Sequence, residues 1–437
     1  MNKIQKFQAV RGMKDLLPQD HDYFTIVKKA IRHRCRQAGF KRITTPLLEQ
    51  IEVFERGLGN ATDIIEKEMF VLEDRSNNKL ALRPEITAGI MRAYLQNGLF
   101  NLSQPVQLYA IDPCFRYDRP QKGRYRQFWQ LSVEVIGARD PSIDAQVILL
   151  AQKILEDLKI NDRFTLQINT IGTPECRQKF EEALENHFIG KERNLCEDCQ
   201  RRLHKNPLRI LDCKNEDCQI LSSIAPKFNS FLDDQSKQFY EKVLGFLEEL
   251  KIPYQENKKL VRGLDYYCDT VFEFWDKSTG SQNAIGGGGR YDGLGEVLGS
   301  SFNIPSVGFA AGIERIIDHL KEADIKPPRK DKLHIFVACL GDIAKKKAVK
   351  ILADLHDSGV HALGAMGKSS INAQLKMANK FEADWTLILG EVEVQENVII
   401  IRDMKKGSQE KYPLEKAVKE IISKIGKNNL DLYHLGE

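Results

Sequence analysis

The chain has no apolar run approaching the length of a membrane span, and its opening residues, MNKIQKFQAVRG, hold no apolar core of signal-peptide size. The expectation is a soluble cytoplasmic protein with no membrane partner. Neither sign of charge dominates: 65 Lys and Arg against 61 Asp and Glu leave a formal net charge of +4 over 437 residues. That excludes a basic coat of the histone kind, while local basic patches stay open. The nine cysteines are odd in number and scattered over a long chain, a usage that fits reduced thiols better than a disulfide framework. There is no internal repeat, no low-complexity tract, and no G-x-G-x-x-G opening a helix after a strand. Gly364–Ser370 (GAMGKSS) ends like a Walker loop, but Ala362 stands where its first glycine belongs, so it is not read as a nucleotide site.

What is present is enough hydrophobic sequence, 42%, for two or three domains with sizeable cores. Tyr23, Ile26, Val27, Ala30, Ile31, Cys35 and Ala38 recur with helical spacing, which predicts a helix over about 22–38. A second helix is expected over Leu82–Leu95 with Pro84 in its first turn, and others over Ala145–Leu158 and Phe309 to about Glu322. Strands are expected at Phe164–Ile171, at Tyr266–Trp275 and near Gly286. Pro174 to Leu250 reads as a charge-rich helical insertion holding five of the cysteines. Lys321–Lys332, with Pro327-Pro328, reads as a semi-rigid linker. Beyond it, apolar and helical segments alternate as in a small α/β domain, with a closing helix from Pro413.

The densest chemistry lies in FRYDRPQKGRYRQFWQLSVEVIG, Phe115 to Gly137. Two alternating segments around a basic, turn-prone tip predict a β-hairpin with a long loop. Residues two apart share a face, so Arg124, Arg126, Phe128, Gln130 and Glu134 line one side: cations for phosphates, an aromatic plate for a base, and a carboxylate. Phe128 and Glu134 lie roughly 20 Å apart on an extended strand, room for a nucleotide and a small polar metabolite end to end. An ordinary solvated amphipathic hairpin has the same pattern.

Other segments carry similar pairs of readings. Arg262, beside Gly263 and ahead of an aromatic-rich strand in LVRGLDYYCDTVFEFW, can hold an anion bidentately or sit at a rim. Glu85 and Thr87 in LRPEIT can receive an ammonium or cap a helix. The glycines of AIGGGGRYDGLG allow close backbone approach to a ligand, or form a flexible loop. Cys196-x-x-Cys199 with Cys213 and Cys218 has the spacing of a four-thiolate zinc site, but no other sequence feature demands metal, so free thiols are preferred.

Taken together, AVRGMKDLLP, LRPE, FRYDRPQKGRYRQFWQ, RGLDYY followed by VFEF, GGGRYDGL and GFAAGIERI resemble, in order, the motifs of bacterial-type histidyl-tRNA synthetases, a class II aminoacyl-tRNA synthetase family. The resemblance covers nearly the whole chain. It implies an α+β fold: a class II antiparallel-sheet catalytic core flanked by helices over residues 1–325, with an insertion at about 171–254. A linker at 326–332 and an α/β anticodon-binding domain over 333–437 follow. It also implies an obligate homodimer with the segment around Pro46 at its interface.

The reaction implied is histidine activation by ATP with Mg²⁺, then transfer to tRNA(His). By likeness, Arg116 and Arg262 hold the α-phosphate, Arg124 and Arg315 the β/γ end, Phe128 stacks on adenine and Asp118 meets its amino edge. Glu134 and Tyr267 take the imidazole nitrogens, Glu85, Thr87 and Gln130 the ammonium, and Tyr266 and Tyr291 wall the pocket. Gln130 borders both substrates. Arg119, Gln121 and Arg126 are assigned to the tRNA acceptor end. A rival reading is a catalytically inactive synthetase-like regulator or tRNA sensor on the same fold.

Overall fold

Strands in the first 327 residues follow from alternating or glycine-rich segments: β1 (Lys41–Arg42), β2 (Leu48–Gln50), β3 (Phe70–Glu73), β4 (Lys79–Leu82), β5 (Val106–Phe115), β6 (Gln127–Ile136), β7 (Phe164–Thr170), β8 (Tyr254–Glu256), β9 (Cys268–Asp276), β10 (Gly286–Arg290) and β11 (Ser306–Gly312). The computed structural model describes residues 7–59, 62, 64–118, 123–211, 213, 215–278, 284–328, 332–364, 366–368, 370–426 and 430–431. The chain divides into two units between Pro327 and Pro328. The first holds an eight-stranded sheet in the order β1-β5-β6-β11-β10-β9-β7-β8 and a small sheet, β2-β4-β3. In the large sheet only the two edge pairings, β1 with β5 and β7 with β8, are parallel. The expected hairpin is the β5–β6 pair, in register from Val106↔Ile136 to Phe115↔Gln127.

One face of the sheet is sealed by amphipathic helices. Pro18–Gln37 buries Phe24, Val27, Ile31 and Cys35 at helical spacing, and Pro141–Asp157 buries Val147, Ile148, Ala151 and Ile154. Proline at the first positions of both helices costs nothing there, because those amides have no intrahelical acceptor. Helix Asp234–Glu249 adds Tyr240, Val243 and Leu247 to the same core. Helices Pro174–Phe188, Glu197–Leu203 and Glu216–Ser223 instead gather around Phe180, Leu184, Leu203, Ile210 and Phe228 in a separate cluster.

The helices expected over about 22–38 and Ala145–Leu158 each begin earlier, at Pro18 and Pro141, and three further boundaries differ because of tertiary pairing. The second helix begins at Thr87, not Leu82: Leu82 pairs with Leu48 and Phe70, and Pro84 lies in the bend before the helix. Phe309 is not helical; it pairs with Val133 on one side and Gly288 on the other, and the helix starts at Ile313. Pro413 ends a strand, and the closing helix starts at Ala417.

The four glycines form no loop. They occupy β10, between β9 and β11, where a β-carbon on Gly287 would lie 2.6 Å from Arg262 Nη1 and 2.7 Å from the Phe272 carbonyl oxygen. The close approach foreseen for these residues is therefore made by neighbouring strands and a guanidinium.

The second unit carries β12 (Ile335–Cys339), β13 (Ala362–Gly364), β14 (Trp385–Leu389), β15 (Val398–Asp403) and β16 (Gln409–Pro413) in a mixed sheet ordered β13-β12-β14-β15-β16. Helices Asp342–Asp357, Ile371–Lys380 and Ala417–Ile425 complete it. Among the described residues no helix is long and apolar enough to cross a membrane.

Arg290, fully buried at the end of β10, donates to Asp144 of helix Pro141–Asp157 and, at 3.0 Å, to Asp292. Removing the cation leaves the fully buried Asp144 carboxylate without its charge partner, a loss several-fold larger than that of a surface pair, whereas Asp292 keeps Arg139. Arg290→Met is expected to destabilise the first unit by about 3–5 kcal/mol, measured by urea unfolding.

Candidate active site

Where β6, β9, β10 and β11 meet the loop after β5, they enclose a cavity of about 380 Å³, a usual size for a small-ligand site. Arg116, Arg124, Arg262 and Arg315 line it together with Phe128, Gln130 and Asp118. The sequence separates these arginines by almost 200 positions; the sheet brings them to one wall. Arg116 is fixed by donation from Nε to the Pro84 carbonyl, at 2.8 Å, and its guanidinium lies 5.4 Å from the Phe128 ring centre. Arg124 pairs with Asp118 at 3.2 Å. Arg315 donates to the carbonyls of Gly123 and Ala284, at 3.2 and 2.5 Å. Arg262 pairs with Glu273, while its buried Nε has no hydrogen-bond partner among the described residues.

Four carboxylates, Glu68, Asp118, Glu273 and Glu314, line the cavity beside the four arginines. Burial, and then the like charges of Arg124 and Arg116, lower the Arg315 pKa below the ordinary arginine value. Glu314 lies beside it; burial pushes its carboxyl up to about 7, although it accepts from the Trp129 amide at 2.9 and 3.0 Å. An anion placed beside Arg315 would offset its repulsion from Arg124 and Arg116.

The remaining expected residues form a closed cluster beside the cavity. Glu134, 1% exposed, accepts from the Thr87 hydroxyl at 2.7 Å, the Ser132 hydroxyl at 2.6 Å, and the Tyr291 hydroxyl. Tyr266 stacks obliquely on Tyr267 and Tyr291, with ring centres 4.7 and 5.5 Å apart. Gly308 faces this cluster with no room for a β-carbon against the Glu134 carboxylate. Glu85 accepts from the amides of Thr87 and Ala88, at 2.6 and 2.7 Å, so in this structure its carboxylate caps the helix Thr87–Gln96. Among these, Gln130 alone also borders the cationic cavity.

Arg126 parts from its expected neighbours. Its guanidinium packs 3.6 Å from the Tyr117 ring centre, and it is not among the described residues lining the cavity. Arg119 and Gln121 lie outside the described residues. Among the participants not foreseen are Glu68, Glu273 and Glu314 in the cavity, and Ser132 and Gly308 against Glu134. Glu273 left a legible trace, a lone carboxylate within VFEFW, an otherwise apolar strand. Ser132 left none beyond sharing parity with Gln130 and Glu134.

A histidyl-tRNA synthetase family model matches residues 12–316, the span that builds both the cavity and the carboxylate cluster, and an anticodon-binding-domain model matches residues 334–424. The chain belongs to the histidyl-tRNA synthetase family. Within that family, a histidine–tRNA ligase of Dehalococcoides mccartyi (strain ATCC BAA-2266) is 43% identical over 419 residues, 96% of this chain and 100% of that one. One from Halothermothrix orenii is 41% identical over 95% of this chain and 98% of its own. The crystal structure of apo S. aureus histidyl-tRNA synthetase superposes with a TM-score of 0.79 at 33% identity, covering 95% of this chain and 100% of that one.

Burial raises the Glu134 carboxyl from 4.5 to about 7, against the opposing hydrogen bonds from Ser132, Tyr291 and Thr87. The folded state therefore binds this proton more tightly than the unfolded chain does. Its contribution to stability is fully present below about 4.5 and is lost as pH rises through about 7. Unfolding of wild type and Glu134→Gln should show wild type losing, relative to the variant, on the order of 3 kcal/mol between pH 4.5 and pH 8. A pH-independent gap would contradict the raised pKa.

Proposed function

We propose that this chain is a cytoplasmic histidine–tRNA ligase that joins L-histidine to ATP as histidyl-adenylate and passes the histidyl group to the 3′ end of tRNA(His). The observation that carries this reading is the convergence of four guanidinium groups on one cavity bordered by Gln130 of β6, the strand that two and four residues on supplies Ser132 and Glu134 of the buried cluster. A triphosphate and a small amino acid require that adjacency.

In the first step the histidine carboxylate attacks the α-phosphorus and pyrophosphate leaves. Positioning and charge stabilisation supply most of the rate in such a transfer. Arg262 and Arg116 serve the α-phosphate; the partnerless Nε of Arg262 supports that role. Arg124 and Arg315 serve the β/γ end, exchanging Asp118 and backbone carbonyls for phosphate oxygens. Phe128 supplies the adenine platform, and Asp118, once released by Arg124, addresses the amino edge. ATP arrives with Mg²⁺: Glu68 and Glu273 line the cavity, and carboxylate and phosphate oxygens are the donors this ion prefers, so these two residues would hold it. The ion would neutralise phosphate charge.

A neutral imidazole presents one donor and one acceptor. Glu134 takes the N–H, Tyr267 addresses the other nitrogen, and Glu85, Thr87 and Gln130 receive the ammonium between the rings of Tyr266 and Tyr291. An amino acid without those nitrogens leaves buried polar groups unpaired, which discriminates by about 10⁴ to 10⁵. The second unit reads the anticodon, and Arg119, Gln121 and Arg126 meet the acceptor end. The protein pairs as a homodimer; exposed Leu47, Leu48, Val71 and Leu72, on or beside the small sheet next to Pro46, support an apolar contact there.

Histidine-dependent ATP–pyrophosphate exchange tests the reading. Arg262→His should lower exchange by roughly 100- to 1,000-fold while the fold survives. Glu134→Gln should raise the KM for histidine far more than that for ATP; equal changes would refute the division between cavity and cluster. A well-folded wild-type protein without exchange would favour the noncatalytic regulator or sensor.

A further inference from the structure

Away from the proposed reaction centre, four cysteines of the helical insertion come together. The Sγ atoms of Cys196, Cys199, Cys213 and Cys218 all lie within 4.8 Å of one another, and the Cys196–Cys213 pair is 3.8 Å apart. An ion bound about 2.3 Å from each of four thiolates sets the sulfurs about 3.8 Å apart in a tetrahedron. We infer that these four cysteines form a structural zinc site, against the preference for free thiols that the sequence suggested.

The arrangement around the sulfurs has the features such a site needs. Two short segments, Cys196-x-x-Cys199 and Cys213-x₄-Cys218, deliver the ligands in pairs, a spacing used by structural zinc sites. The Cys196 amide donates to the Cys218 sulfur at 3.3 Å, the kind of backbone donor that steadies a metal-bound thiolate. Asn215 caps helix Glu216–Ser223 by accepting from the Cys218 amide at 3.2 Å, which fixes the second pair in its turn. Cys199 and Cys218 are fully buried in the insertion's apolar cluster, while Cys196 and Cys213 are half-buried at its edge, open to an entering ion. All four ligands are thiols, the donor set that selects zinc over Mg²⁺ or Ca²⁺.

The location gives the ion a task. Between the two pairs runs the turn Pro207–Ile210. Next to it Asn206 donates to Asp265 at 2.7 Å, and Arg209 donates to the Gly263 carbonyl at 3.3 Å. Those acceptors sit in the segment that carries Arg262, Tyr266 and Tyr267. A zinc ion clamping both pairs holds this turn in place and, through it, supports the Arg262–Tyr267 segment. The four cysteines are thus positioning residues, not catalytic ones.

The test is metal content, independent of catalysis. Protein purified without chelator, under reducing conditions, should contain one zinc ion per chain by plasma mass spectrometry. Cys213→Ser/Cys218→Ser should lose it and melt at a lower temperature, with hydrogen-exchange protection lost in the insertion and in the Arg262–Tyr267 segment it supports. Should that variant not fold, a mercurial titration of wild type serves instead: zinc should appear on a chromogenic chelator in step with modification of these thiols. Reconstitution with Co²⁺ should add thiolate-to-cobalt charge-transfer absorption. Wild type without zinc that also fails to give this absorption would overturn the site, as would zinc retained in the folded double variant or a disulfide among these four residues.

Discussion

The centre of the catalytic sheet admits no β-carbon at Gly287, because the space it would fill holds the guanidinium of Arg262 on one side and the backbone of β9 on the other. The rest of the cavity depends on that close approach. With β10 so thin, Arg262 can lie against the sheet itself and reach Glu273, one strand away, while Arg116 and Arg315 reach the same cavity from a loop edge and a helix start. Gly308 plays the matching part on β11, leaving room for the Glu134 carboxylate. Two glycine positions on neighbouring strands thus set the depth of both halves of the site.

Electrostatics then divides the site in two. The cavity gathers four arginines among four carboxylates, with Arg315 held by backbone carbonyls and Arg124 by a partly exposed pair with Asp118. The neighbouring cluster gathers hydroxyls around one buried carboxylate whose proton affinity is raised by lack of water. A polar group so placed is costly unless paired, and here its partners are hydroxyls of the cluster itself. The Glu134 carboxylate is thus held by the hydroxyls of Thr87, Ser132 and Tyr291.

Much of this was legible from residue order. The body of helix Pro18–Gln37 follows from periodicity because it buries one face against a single core, and the β5–β6 hairpin follows from its alternation and turn-prone tip, although its strands are buried on both faces. Helix starts were less legible. Phe309 satisfies a helical pattern as well as a strand's, and only the availability of partners on both sides, Val133 and Gly288, decides for the strand. Leu82 was claimed by the small sheet in the same way. The roles around Glu85 show the limit for single residues: local sequence allows a cap or an ammonium ligand, and its two amide bonds in this structure are those of a cap.

The sequence by itself determined the two-unit plan, the family, and which residue types could serve phosphate and imidazole, because those properties reside in local pattern and side-chain chemistry. Tertiary structure alone decided which of them meet. Arginines far apart in the chain share one cavity, Arg126 leaves its period-2 neighbours for Tyr117, and four separated sulfurs converge within 4.8 Å. Distance in space between distant residues is set by how sheets and helices pack, and no local pattern encodes it.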